Sequence, residues 1–333
     1  MARAIKTFLT TALLFGGACL FAQTRIDKLY IDTRGIFHQE TVDGVYSSQF
    51  LADHLNLNVT GQIENGIDFR IRQRLNKKVF DENNIFNATD FLFVDWKPVD
   101  SRWHFLFGKN AVMIGGYEYD AVPIDVYFYS QFCNNLYQGF TLGATVGYSI
   151  LENQELAFQV CNSPLSLGIE NLYAYNFGWL GRFASWWRTI WTFNLVEDPD
   201  HRMISYISLG NHFQWDDLLF DIDLMNRGAF GQKRYFGTDY TLISKIIWSI
   251  GNWNICAKGG LEGNALDNVD SSGRAYDAVI APGTKYAYAG GGLEYFPLGR
   301  DGIRLHAVYY RDNAKHRNNF DLGVTWKVDI IKH

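Results

Sequence analysis

The strongest constraint on this chain is a two-residue alternation of apolar and polar side chains that recurs in sixteen runs of about ten residues. In 55–64, Leu55, Leu57, Val59 and Ile63 oppose Asn56, Asn58, Thr60, Gln62 and Glu64. In 67–72, Ile67, Phe69 and Ile71 oppose Asp68, Arg70 and Arg72. Successive side chains of a strand leave opposite faces, so each run needs two different surroundings. The other runs fall at 29–37, 91–96, 103–109, 140–150, 155–161, 172–181, 186–194, 203–213, 218–225, 240–249, 253–262, 286–296, 303–310 and 320–331. After residue 22 no apolar stretch reaches the length of a bilayer-spanning helix. If the chain enters a membrane, it does so with strands.

Two further features favour a membrane over water. All six prolines (98, 123, 164, 199, 282 and 297) fall between the runs, as an unbroken ladder requires. The connections alternate long and short, beginning with 38–54 long, 65–66 short, 75–90 long and 97–102 short. Tight turns on one side and longer loops on the other describe an outer-membrane barrel with both termini in the periplasm. Aromatic residues make up 16% of the chain, with 10 Trp, an abundance suited to girdles at the two membrane interfaces. The expected fold is an all-β, transmembrane antiparallel barrel of sixteen strands. Reading 124–132 as a strand raises the count and makes eighteen the alternative.

The first 22 residues read as a cleaved signal peptide, with Arg3 and Lys6 ahead of an apolar stretch that ends at Ala22-Gln23. The mature barrel domain is then 23–333, in a Gram-negative outer membrane. Loss of those two bases lowers the net charge of −5 by two, and no basic block points to nucleic acid. Cys133, Cys161 and Cys256 remain, an odd number read as free, partly buried thiols. No spacing implies a metal site, a catalytic centre or a cofactor.

Sixteen strands leave an aqueous channel rather than a packed interior. By parity the inward bases are Arg34, Arg70, Arg72, Arg188, Lys245, Lys258, Arg304 and Lys327. They face nine inward acids: Asp32, Glu64, Asp68, Glu155, Asp221, Asp223, Glu262, Asp321 and Asp329. The stretch 110–139 is too apolar to lie loose in water, with Ile114, Tyr117, Tyr119, Val122, Val126 and Phe128. It is expected to fold into the barrel and narrow it. Glu118, Asp120 and Asp125 would then stand across from Arg34, Arg70 and Arg72, and opposed charges at a constriction sort solutes by size and dipole.

The run Gly108-Lys109, Gly115-Gly116-Tyr117-Glu118-Tyr119-Asp120, Pro123, Tyr129-Ser130 and Gly139 resembles the phosphate-selective porin O and P family, in its Bacteroidota-type branch. The resemblance covers the mature chain in rhythm and about 91–150 in specific residues. It implies a trimeric, sixteen-stranded porin whose third loop folds inward; strand parity, the 110–139 segment and the matched Gly108-Lys109 together give Arg34, Arg70, Arg72, Lys109, Glu118, Asp120, Asp125 and Arg188 as the pore and constriction candidates. Here the inward bases are matched by acids, so the porin role carries over and phosphate selectivity does not. The expected function is passive diffusion of small polar solutes or ions, with outer-membrane lipid outside and like subunits alongside. A barrel hydrolase and a soluble glycan-binding β-sandwich are the alternatives; the eight His form no HExxH and sit beside no GxSxG serine.

Overall fold

The computed structural model describes residues 24–64, 66–77, 87–300 and 302–332. The signal-peptide reading for 1–22 and residue 65 of the short 65–66 connection fall outside these, as does the side chain of Glu64. Sixteen strands form one closed ring in which every strand pairs antiparallel with its chain neighbours and β1 pairs with β16. They are β1 (Arg25–Val42), β2 (Val45–Glu64), β3 (Ile67–Arg74), β4 (Thr89–Trp96), β5 (Trp103–Ala111), β6 (Phe140–Leu151), β7 (Gln154–Asn162) and β8 (Tyr173–Ala184). The ring continues with β9 (Trp187–Glu197), β10 (Met203–Trp215), β11 (Leu218–Ala229), β12 (Asp239–Ile250), β13 (Trp253–Asn264), β14 (Lys285–Tyr295), β15 (Ile303–Asp312) and β16 (Asn318–Lys332). Each of the sixteen predicted runs lies on one strand, and the count is sixteen rather than eighteen. A closed ring has no edge, so the wall's backbone groups are satisfied without water, which hydrocarbon demands. One ring of strands also replaces the two stacked sheets of the sandwich alternative.

The period-2 pattern maps onto the two faces of this wall. Along β13, Trp253, Ile255, Ala257 and Leu261 are exposed outward, while Asn254, Cys256, Lys258 and Glu262 turn inward. The ten tryptophans all lie in the half of the wall nearest the short turns. Trp186 stands in the β8–β9 turn and stacks on Trp187 and Trp215, which flank the β8–β9 and β10–β11 turns. Large rings with one polar atom suit the headgroup level, so this rim marks one interface.

One expectation needs correction, and the alternative of a strand at 124–132 falls. Residues 38–54 are not a long loop: β1 and β2 zip together up to a two-residue turn at Asp43-Gly44, where both φ angles are positive (49° and 85°). Such a turn matches the twist of the strands it joins. The alternation fades there, as in Gln39-Glu40-Thr41 and Ser47-Ser48-Gln49, because a hairpin with water on both sides needs no apolar face. Residues 124–132 are not a strand either. They pass through a 3-10 turn at Pro123–Asp125 and begin a helical turn at Gln131–Asn135.

Candidate functional site

The segment 112–139, which joins β5 to β6, runs inside the ring. Its apolar residues are the reason. Val112, Ile114, Phe132 and Leu136 pack with Val196, Ile204, Tyr206 and Met225 of β9–β11 into one buried cluster. Val279 and Ile280, from the loop between β13 and β14, close that cluster from above. The lumen beside β7–β11 is therefore filled by protein.

Wall side chains fix the path of the segment. Gln159 of β7 accepts the N–H of Met113, and Asn194 of β9 donates to the carbonyl of Met113 at 2.6 Å. Asp223 of β11 accepts the backbone N–H groups of Tyr117 and Glu118, both at 2.8 Å. Glu262 of β13 accepts those of Gln131 and Phe132. Each carboxylate thus meets the otherwise unpartnered donors that open a helical turn, Tyr117–Asp120 in one case and Gln131–Asn135 in the other. Hydrogen bonds to a charged acceptor contribute about 1.5–3 kcal/mol each. The Gly115-Gly116 pair makes the first of these contacts feasible. Gly115 has φ +84°, and a Cβ on Gly116 would collide with the Asp223 carboxylate.

The segment then crosses to the far wall. Arg34 of β1 donates to the carbonyls of Ile124 and Val126 at 2.9 and 3.0 Å while paired with Asp53 at 2.5 Å. Arg304 of β15 pairs with Asp125 at 2.7 Å, and the Tyr127 hydroxyl donates to Glu294 of β14 at 2.6 Å. Lys258 of β13 pairs with Glu118 at 2.5 Å. Burial pushes the Glu118 carboxyl upward, but the Lys258 ammonium and the Ser130 hydroxyl outweigh it and hold the group below the ordinary range. Beneath 121–128 a cavity opens against β11–β15, with Asp221, Lys245 and Glu294 in its lining.

The predicted site residues therefore separate into two sets. Arg34, Glu118 and Asp125 hold the segment. Glu118 and Asp125 turn to Lys258 and Arg304, not to the arginines of β1 and β3 as the sequence led one to expect. Among the described residues Asp120 is the one exposed loop acid of the three without an ion pair. Arg188 is exposed on the inner face of β9, and Lys109 is buried. Arg70 and Arg72 line the wall of β3, where Arg72 and Arg74 share Asp90 at 2.9 and 2.6 Å. The sequence reading missed Arg74, Asp53, Asp90, Glu294 and Arg227. Asp53 and Asp90 occupy irregularities in the β1–β2 and β3–β4 registers, where parity counting changes sign. Cys133, Cys161 and Cys256 are unpaired thiols.

Sixteen antiparallel strands closed into a ring, apolar outside and charged within, with a long segment folded into the lumen, define an outer-membrane porin, a channel for passive diffusion. One family model matches residues 38–181, and it is described as phosphate-selective porin O and P. No curated protein matches the chain. Among solved structures, an anion-selective porin from Comamonas acidovorans is 8% identical, covers 92% of this chain and 100% of its own, and superposes with a TM-score of 0.61. OmpF of Salmonella typhi, in complex with daunomycin, is 9% identical over 91% of this chain and 98% of that one, TM-score 0.61. OmpT of Vibrio cholerae, folded in vitro and described in its trimer form, is 10% identical over 92% and 99%, TM-score 0.57. At these identities the likeness is one of fold.

Proposed function

We propose that 112–139 forms the constriction of the channel and that solutes pass along the wall of β2–β5, under an excess of positive charge. The carrying observation is the one-sided seating of the segment. Its hydrogen bonds and ion pairs reach β1, β7, β9, β11 and β13–β15, and among the described residues none reaches β2, β3 or β4. Beside the segment the open inner face carries Arg70, Arg72 and Arg74 against Asp32 and Asp90, while Asp68 and Asp95 lie toward the short-turn rim and share Lys97. The charge balance counted over the whole barrel therefore breaks down locally, and a local excess sets ion preference. Under a tenfold KCl gradient across a planar bilayer, the open channel should show a reversal potential of anion sign. A cation-sign potential would overturn this reading.

The channel is read as a homotrimer that performs no catalysis, with the short-turn rim, both termini and the signal-peptide end on the periplasmic side. The trimer form of the Vibrio cholerae relative supports the first point. The collection of tryptophans at the rim of short turns supports the orientation. The histidine–carboxylate pairs His38–Asp321 and His212–Asp221 are joined to no hydroxyl or thiol among the described residues, which favours structural roles for them.

A further inference from the structure

Inward-facing phenylalanines are out of place on the wall of a water-filled channel. Phe91 and Phe93 of β4 nevertheless stand on the inner face, cross-strand from Arg72 and Arg70. Their rings meet edge to face at 5.9 Å. The Arg70 guanidinium lies over Phe91 at 4.0 Å and that of Arg72 at 4.4 Å. On the same wall the Lys327 ammonium lies 4.3 Å from the ring of Tyr30. Arg34, Arg72 and Arg74 each have a carboxylate partner. Arg70 has none: among the described residues it takes part in no hydrogen bond or ion pair, and it lies against the face of Phe91.

A guanidinium whose carbon lies 4.0 Å from a ring centroid is held by the ring face and keeps an N–H edge without a carboxylate partner. That edge matches the two oxygens of a carboxylate. Half-buried Phe93, directly across from Arg70, offers an apolar ring to whatever the carboxylate is attached to. Inorganic phosphate or chloride would use the guanidinium and leave the ring idle. We infer that Arg70, Phe91 and Phe93 form a binding station for organic carboxylates with a planar apolar body, of which an aromatic carboxylate is the simplest. The inference rests on the reading that solutes pass along β2–β5.

The test uses the full chain in planar bilayers, with benzoate, acetate or inorganic phosphate added on one side and transient blocking of the current recorded. Benzoate should block at about one-tenth the concentration that acetate or phosphate needs, the size of effect one aromatic contact supplies. Phe93→Ala should bring benzoate to the level of acetate without moving the KCl reversal potential. Phe93→Leu, which keeps apolar bulk and guards against misfolding, should lose most of the same difference. Arg70→Gln should remove block by both carboxylates, and Arg70→Lys should weaken benzoate while keeping the charge. Equal block by benzoate and acetate, or a preference unchanged in both Phe93 variants, would overturn the station even if the channel proves anion-selective. Conversely, Phe93-dependent benzoate block in a channel with no anion preference would sustain the station and remove the wider selectivity reading.

Discussion

A chain in which 113–135 is replaced by a short Gly-Ser link should form channels of several-fold higher conductance, with the step size in planar bilayers as the measurement. The segment fills the space against β7–β11 and spans to β1 and β15, so nothing else described in the lumen narrows it comparably. Removal would also bare Val196, Ile204 and Met225 to water, so retention of the barrel must be checked by the faster gel migration of unheated protein. A milder variant reaches the same question without that cost. Asp223→Asn with Glu262→Gln leaves the wall intact and removes the charge from both caps of the helical turns. It should give noisier openings with excursions to larger conductance. Unchanged conductance in both variants would show that the segment does not set the width of the pore.

The second large effect concerns stability. Arg227 of β11 has no exposed surface; it pairs with Asp239 of β12 at 2.6 Å and with Asp277 of the β13–β14 loop at 2.9 Å, and donates to Thr241. Asp277 in turn accepts the N–H groups of Val279 and Ile280, the residues that roof the inserted segment. Arg227→Leu strands two buried carboxylates beside each other. Breaking a buried pair in this way costs about 3–5 kcal/mol, which should appear as a lower urea midpoint for unfolding from detergent micelles. Adding Asp239→Asn and Asp277→Asn to Arg227→Leu removes the stranded charges and should restore most of the loss. If the triple variant is no more stable than Arg227→Leu alone, the uncompensated charge is not the cause.

The wall was legible in the sequence because its physics is local. Lipid on one side and water or protein on the other force a choice at every second residue, and β13 or β3 can be read one residue at a time. The inward direction of Asp223, Glu262, Lys258 and Arg304 followed from the same parity. What those side chains meet did not. Parity says which side of the wall a carboxylate is on, and it is silent on whether water or a backbone N–H stands opposite. Asp223 and Glu262 look like hydrated pore acids until the helical turns of the inserted segment lie against them. Those turns are only four and five residues long, too short to leave a periodic signal. The Gly115-Gly116 pair was visible in the sequence, but its reason, the approach of Asp223 from across the barrel, is a contact between residues more than a hundred positions apart. At the top of β1 and β2 the rule fails for the opposite reason, because both faces are wet. The Asp43-Gly44 turn was the local sign available there.

The most direct test places a spin label on single cysteines at each position from 253 to 262, in a chain whose native Cys133, Cys161 and Cys256 are replaced. Collision with lipid-soluble oxygen should peak at 253, 255, 257, 259 and 261, while the even positions should favour a water-soluble nickel complex or be sheltered from both. Loss of that two-residue period, or labels at Ile255 and Leu261 that meet the aqueous probe as readily as the label at 258, would contradict a wall with hydrocarbon outside and a wet lumen within.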